Sequence, residues 1–93
     1  MNMTNQAFGE RIGRTASYVS YLRNGKRKPS FGLFVKILDA FDLETTPAMR
    51  ALEGGSESFG RYLNEHVFPF REIRTREDGS TYVVKIEPAN SAG

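Results

Sequence analysis

The sequence predicts a mainly α fold: a bundle of short helices, one further helix and a C-terminal β-hairpin. Three observations predict it. Between Thr4 and Val67 apolar residues return every three or four positions, in short blocks opened by Thr or Ser or closed by Gly. From Arg71 the period changes to two, on either side of Asp78-Gly79, the dipeptide that type I′ hairpin turns prefer. The 93 residues, 39% of them apolar, supply one compact core but not a two-lobed enzyme with a cleft between its lobes.

Thr4 is suited to cap a first helix through Ile12, with Phe8 and Ile12 four apart on one face and Gly13 as its left-handed end. After Arg14 alone, Thr15 can cap again. A second helix, Ala16 to Asn24, turns Val19 and Leu22 inward and stops at Gly25. Two helices joined so briefly cross steeply and share one core. Phe8, Ile12, Val19 and Leu22 are therefore inside, while Ala16, Ser17, Ser20 and Tyr21 point away. Lys26 to Pro29 is a loop. Ser30 caps a longer helix to about Phe41, whose apolar stripe is Phe31, Phe34, Ile37, Leu38 and Phe41. Asp42 to Thr45 reads as a turn with Leu43 packed back. Thr46-Pro47 then reads as the N-cap and first residue of a short helix that ends by Gly54-Gly55.

Gly54 to Ser58 is the candidate boundary, dividing residues 1–55 from 56–93. Past it, Phe59, Tyr62, Leu63 and Val67 keep helical spacing until Pro69. Arg71 to Arg76 and Thr81 to Glu87 are strand-like. A two-residue loop at Asp78-Gly79 pairs Ile73 with Val84, Thr75 with Tyr82, and Glu72 with Lys85. That register gathers Ile73, Tyr82, Val84 and Ile86 on one face. A lone hairpin is marginal in water and keeps two open edges, so these four residues form a candidate dimerisation surface unless the preceding helix covers them. From Pro88 the chain reads as a frayed end.

The formal charge of +2 hides an asymmetry. Arg11 to Leu38 holds seven basic residues and no acidic one, leaving six basic and all eleven acidic residues for the rest. Such a segregated basic segment is the footprint of a surface that meets a polyanion. Other chemistries find little support. Cys is absent and His66 is the single His, so disulfides, metal clusters and His relays are not expected. Glu72 and Glu87 read as strand surface charges, not a catalytic pair. Gly55 to Tyr62 has P-loop glycine spacing without the Lys-Ser/Thr, and the Asn2-Met3-Thr4 sequon has no secretory signal beside it. The expectation is a cytoplasmic non-enzyme without cofactor, small-molecule ligand or membrane attachment.

The stretch Asn5 to Ile12, Gly13-Arg14-Thr15, Ala16 to Gly25 and on through Lys26-Arg27-Lys28-Pro29-Ser30 to Leu43 resembles the helix-turn-helix of the phage repressor and Cro family, the xenobiotic-response-element type. The resemblance covers roughly the first half of the chain. It implies a lambda-repressor-like helix-turn-helix bundle that binds a partly palindromic double-stranded operator as a homodimer and represses transcription by occupancy. By the same resemblance Thr15, Ala16, Ser17, Ser20 and Tyr21 contact bases, Ser17 and Tyr21 foremost. Gln6, Arg14, Asn24, Lys26, Arg27 and Lys28 contact phosphates. Arg11 and Lys36 are expected to be ordinary solvated helix residues. The family's domain normally opens with one more helix, where this sequence has three residues before Thr4. It also commonly carries Glu where Arg23 stands. The two departures are consistent with each other, since that Glu can pair with a basic residue on the missing helix. The missing helix leaves the Phe8 and Leu22 side of the core to be filled by the Phe59–Phe68 segment or by a second chain. Two other functions fit the same residues: an autoregulating antitoxin whose C-terminal part holds a toxin, and a protein-interaction adaptor with an incidental basic stretch.

Overall fold

The computed structural model describes residues 3–86; Glu87 of the second strand, the end from Pro88 and Asn2 of the sequon lie outside them. In chain order the elements are α1 (Asn5–Ile12), α2 (Ala16–Arg23), α3 (Phe31–Ala40), α4 (Thr45–Glu53) and α5 (Ser56–Tyr62). α5 widens into a π turn (Leu63–Val67), tightens into a 3₁₀ turn (Phe68–Phe70), and leads into β1 (Arg71–Thr75) and β2 (Thr81–Lys85).

Local chemistry accounts for the first three helices. The hydroxyls of Thr4, Thr15 and Ser30 accept the N–H groups of Ala7, Tyr18 and Leu33, satisfying donors that a helix start leaves free. α2 ends in a Schellman pair, Lys26 N–H to the Tyr21 carbonyl (2.9 Å) and Gly25 N–H to that of Leu22 (3.3 Å), with Gly25 at φ 75°. α3 ends the same way without glycine: Asp42 takes φ 52°, and Leu43 N–H reaches the Leu38 carbonyl at 2.9 Å. α4 starts earlier than Thr46-Pro47 implies. Glu44 stands at its N-cap without a side-chain bond, and Pro47 is the third helical residue. The first N–H groups of a helix have no intrahelical partner, so proline anywhere in that turn forfeits no ladder bond.

One core draws on both sides of residue 55: Phe8, Ile12, Val19, Leu22, Phe34, Ile37 and Phe41 bury together with Phe59, Leu63 and Val67. Phe8 is sandwiched between Phe41 (4.2 Å between ring centres) and Phe68 (5.1 Å), and Phe59 meets Phe34 edge-on. The C-terminal segment of this same chain thus fills the side of Phe8 that the sequence leaves open. The α3 stripe needs one correction. Leu33 is buried, whereas Phe31 is 68% exposed, because at about 100° per residue Phe31 falls beside exposed Val35, off the face that buries Leu33, Phe34, Ile37 and Phe41.

The hairpin register also differs from the expected one by a residue. The pairs are Ile73 with Val83, Glu72 with Val84, Arg74 with Tyr82 and Thr75 with Thr81. A type I′ turn needs positive φ at both Asp78 and Gly79, but only Gly79 has it, at 92°. The loop instead has three residues, Glu77-Asp78-Gly79, closed by Arg76 N–H to the Ser80 carbonyl (2.7 Å), and Asp78 accepts from both the N–H and hydroxyl of Ser80. One added loop residue moves partners to opposite faces. Ile73 and Val83 pack toward the core, while Tyr82 and Val84 share the other face with Glu72 and Arg74. Glu72 is buried rather than a surface charge, and its ion pair is with Arg74, not Lys85.

Candidate nucleic-acid interface

α2 is positioned from its inner side. Val19 and Leu22 are wholly buried, and Tyr18 packs half-buried beside them with the Arg14 guanidinium 5.5 Å from its ring centre. At about 100° per residue, this leaves Ala16, Ser20, Ser17 and Tyr21 within an arc of roughly 140° on the opposite side. Thr15, Ala16, Ser17 and Tyr21 are exposed there and Ser20 is partly so. The Thr15 hydroxyl is engaged as the N-cap, and Ser20 accepts from the Asn24 amide at 3.3 Å. Ser17 and Tyr21 have the freest polar ends of the five, and the Tyr21 side chain is 43% exposed.

Gln6, Arg14, Asn24, Lys26, Arg27 and Lys28 are all exposed around this helix, Gln6 on α1 and the rest in the turns before and after α2. Gln6 lies near the amino end of α1, where unpaired N–H groups favour an anion, and its amide touches Glu10 at 3.3 Å. The loop that carries the three cations is tied down at its base. The Ser56 hydroxyl donates to the Gly25 carbonyl at 2.8 Å, so the start of α5 holds the exit of α2. The arrangement offers a convex helix with small hydroxyls and a tyrosine, flanked by exposed cations on a loop tied at its base. A helix of this kind fits the major groove, with the cations over the adjoining phosphates.

Residues to which the sequence assigned no such role complete the support. The Arg23 guanidinium donates to Asn64 Oδ1 (2.6 Å) and Asn5 Oδ1 (2.8 Å) and lies over the Phe68 ring, while Asn64 Nδ2 donates back to the Arg23 carbonyl (3.0 Å). Arg23 therefore ties the end of α2 to the start of α1 and to the π turn. Arg11 is likewise not a solvated helix residue: it is half-buried and donates to the Thr81 hydroxyl at 3.1 Å, fastening α1 to β2. The dimerisation residues are not gathered on one face. Ile73 faces inward, and half-buried Tyr82 and Val84 face outward; Ile86 follows β2, its N–H bonded to the Phe70 carbonyl. Among the described residues no helix is long and apolar enough to cross a membrane.

Comparison with known proteins agrees with this geometry. The helix-turn-helix family model matches residues 1–47, the span from α1 through the start of α4. No curated protein and no solved structure matches the chain.

Proposed function

The chain belongs to the helix-turn-helix family and is a DNA-binding transcription regulator of that kind, and on that premise we propose that it is a Cro-like repressor. It binds a partly palindromic operator as a homodimer, in the compartment that holds that DNA, and represses by blocking access to the promoter. The observation that carries this reading is the outward face of α2, where exposed Ser17 and Tyr21 stand between exposed Arg14 and the Lys26-Arg27-Lys28 loop. Two such faces, one per protomer, read half-sites about one helical turn apart.

The chemistry divides the work. Arg14, Lys26, Arg27 and Lys28 neutralise phosphates and supply affinity without sequence information. Gln6 and Asn24 fix the register against the backbone. Ser17 and Tyr21 read base edges, and Ala16 offers a methyl contact to thymine. Small hydroxyls read bases modestly, so the shape and stiffness of the operator contribute to selection.

The test is binding to the DNA upstream of its own gene and to random duplex, across salt concentration. Four cations per protomer give a dimer eight, and full engagement predicts a log–log salt slope of about −7. A steep slope with preference for one sequence supports the reading. Binding without a preferred sequence rejects it, and weak, salt-insensitive binding rejects it in favour of an adaptor.

A further inference from the structure

Among the described residues, three large apolar side chains are exposed: Tyr21, Phe31 and Val35. Tyr21 belongs to the α2 face. Phe31 (68% exposed) and Val35 (45%) do not; they lie one turn apart on α3, and half-buried Leu38 continues the line. The Phe31 ring leans on buried Phe34, 6.4 Å between centres, so it is held while it projects. At the other end the line runs into a shallow hollow of about 310 Å³, lined by Val35, Leu38, Asp39, Asp42, Leu43 and Thr45. One stripe therefore carries a projecting ring at its amino end, at its carboxyl end a hollow into which Leu38 and Leu43 open beside Asp39, Asp42 and Thr45, and Val35 between them. Charge follows the same direction, from the basic loop ending at Lys28 to Asp39 and Asp42.

We propose that this α3 face is where two copies of the chain meet, about a two-fold axis beside Val35. The proposal rests on the dimeric reading above and names its contact. A two-fold interface must be self-complementary, and a knob and hollow at opposite ends of one stripe are so when the helices run antiparallel. Each Phe31 then enters the hollow of the other copy, each basic flank lies beside an acidic one, and the helix dipoles oppose. The spacing suits this: Phe31 and Leu38 are about 10 Å apart along the axis, so both rings seat at once. The outward face of the hairpin is less suited, since Tyr82 and Val84 are half-buried and the Tyr82 ring already carries the Arg76 guanidinium at 4.4 Å.

The sequence contains no cysteine, which makes cross-linking clean. The full chain is measured by sedimentation equilibrium as wild type and as Phe31→Glu, and by oxidation of Val35→Cys and Val84→Cys. The expected result is a wild-type dimer, a monomeric Phe31→Glu with unchanged circular dichroism, and a disulfide-linked dimer from Val35→Cys alone. Phe31→Glu then binds the operator roughly a hundredfold more weakly while keeping half-site binding. If Phe31→Glu proves unfolded, the cross-linking pair decides. A folded Phe31→Glu that stays dimeric, or cross-linking through Val84→Cys instead, overturns the α3 contact and leaves the dimeric reading standing. A wild type that is monomeric both free and on operator DNA overturns both.

Discussion

The Arg23 guanidinium carbon lies 3.7 Å from the centre of the Phe68 ring, and that ring stacks in turn on Phe8 in the core. The end of the helix that presents Ser17 and Tyr21 is thus anchored by a residue beyond the family-matched span. Burial lowers the pKa of Arg23, yet an arginine stays charged, and desolvated cation–π contacts reach about 2 kcal/mol. Arg23→Ala is expected to lower stability by about 2 kcal/mol, read from denaturant unfolding. Arg23→Lys does not rescue it, because an ammonium cannot serve Asn5, Asn64 and the ring together. A full rescue by lysine would contradict the planar-contact account.

Gly60 marks where α5 crosses the end of α2. A methyl group there would stand 2.6 Å from the Leu22 carbonyl oxygen and 2.8 Å from that of Arg23. Both are backbone atoms held by α2, so neither moves cheaply. Gly60→Ala is expected to cost about 1–3 kcal/mol despite alanine's better helix propensity, measured as a shift of the urea midpoint. A stabilised variant would mean that α5 does not pack here.

The hairpin carries an acid-sensitive element. The Arg74 guanidinium holds the Glu72 carboxyl below its usual range, and the Ser80 hydroxyl and N–H do the same for Asp78. Both pKa values are depressed on folding, so their contribution is present above the ordinary carboxylate range near pH 4 and is lost as pH falls through the folded values. Thermal melts at pH 7 and pH 3 are expected to differ less for Glu72→Gln and Asp78→Asn than for the wild type. Equal differences in all three would remove these groups from the acid response.

Much of this was legible because it is local. Thr4, Thr15 and Ser30 cap the helices they precede, and Val19 with Leu22 fixes which side of α2 faces out. What escaped depends on distant partners or on one residue of loop length. Asp78-Gly79 suits both a two-residue and a three-residue loop, and only the fold chooses, carrying Tyr82 and Val84 to the face opposite Ile73. Arg71 is legible only as the start of a strand-like stretch, yet it is buried and donates to the carbonyls of Phe41 (2.8 Å), His66 and Asp42, closing the ends of α3 and the π turn. Asn64, the partner of Arg23, lies 41 residues along the chain, and no periodicity links the two.

The central claim is that the outward face of α2 reads bases while the adjoining loop grips phosphates. It is tested most directly by measuring, at one salt concentration, the affinities of wild type, Ser17→Ala, Tyr21→Ala and Lys26→Ala for operator and for random duplex. The account predicts that wild type prefers operator by about a thousandfold or more. Ser17→Ala and Tyr21→Ala narrow that preference by about 1–3 kcal/mol, whereas Lys26→Ala weakens both duplexes alike. Equal losses on operator and random DNA for Ser17→Ala and Tyr21→Ala would contradict it.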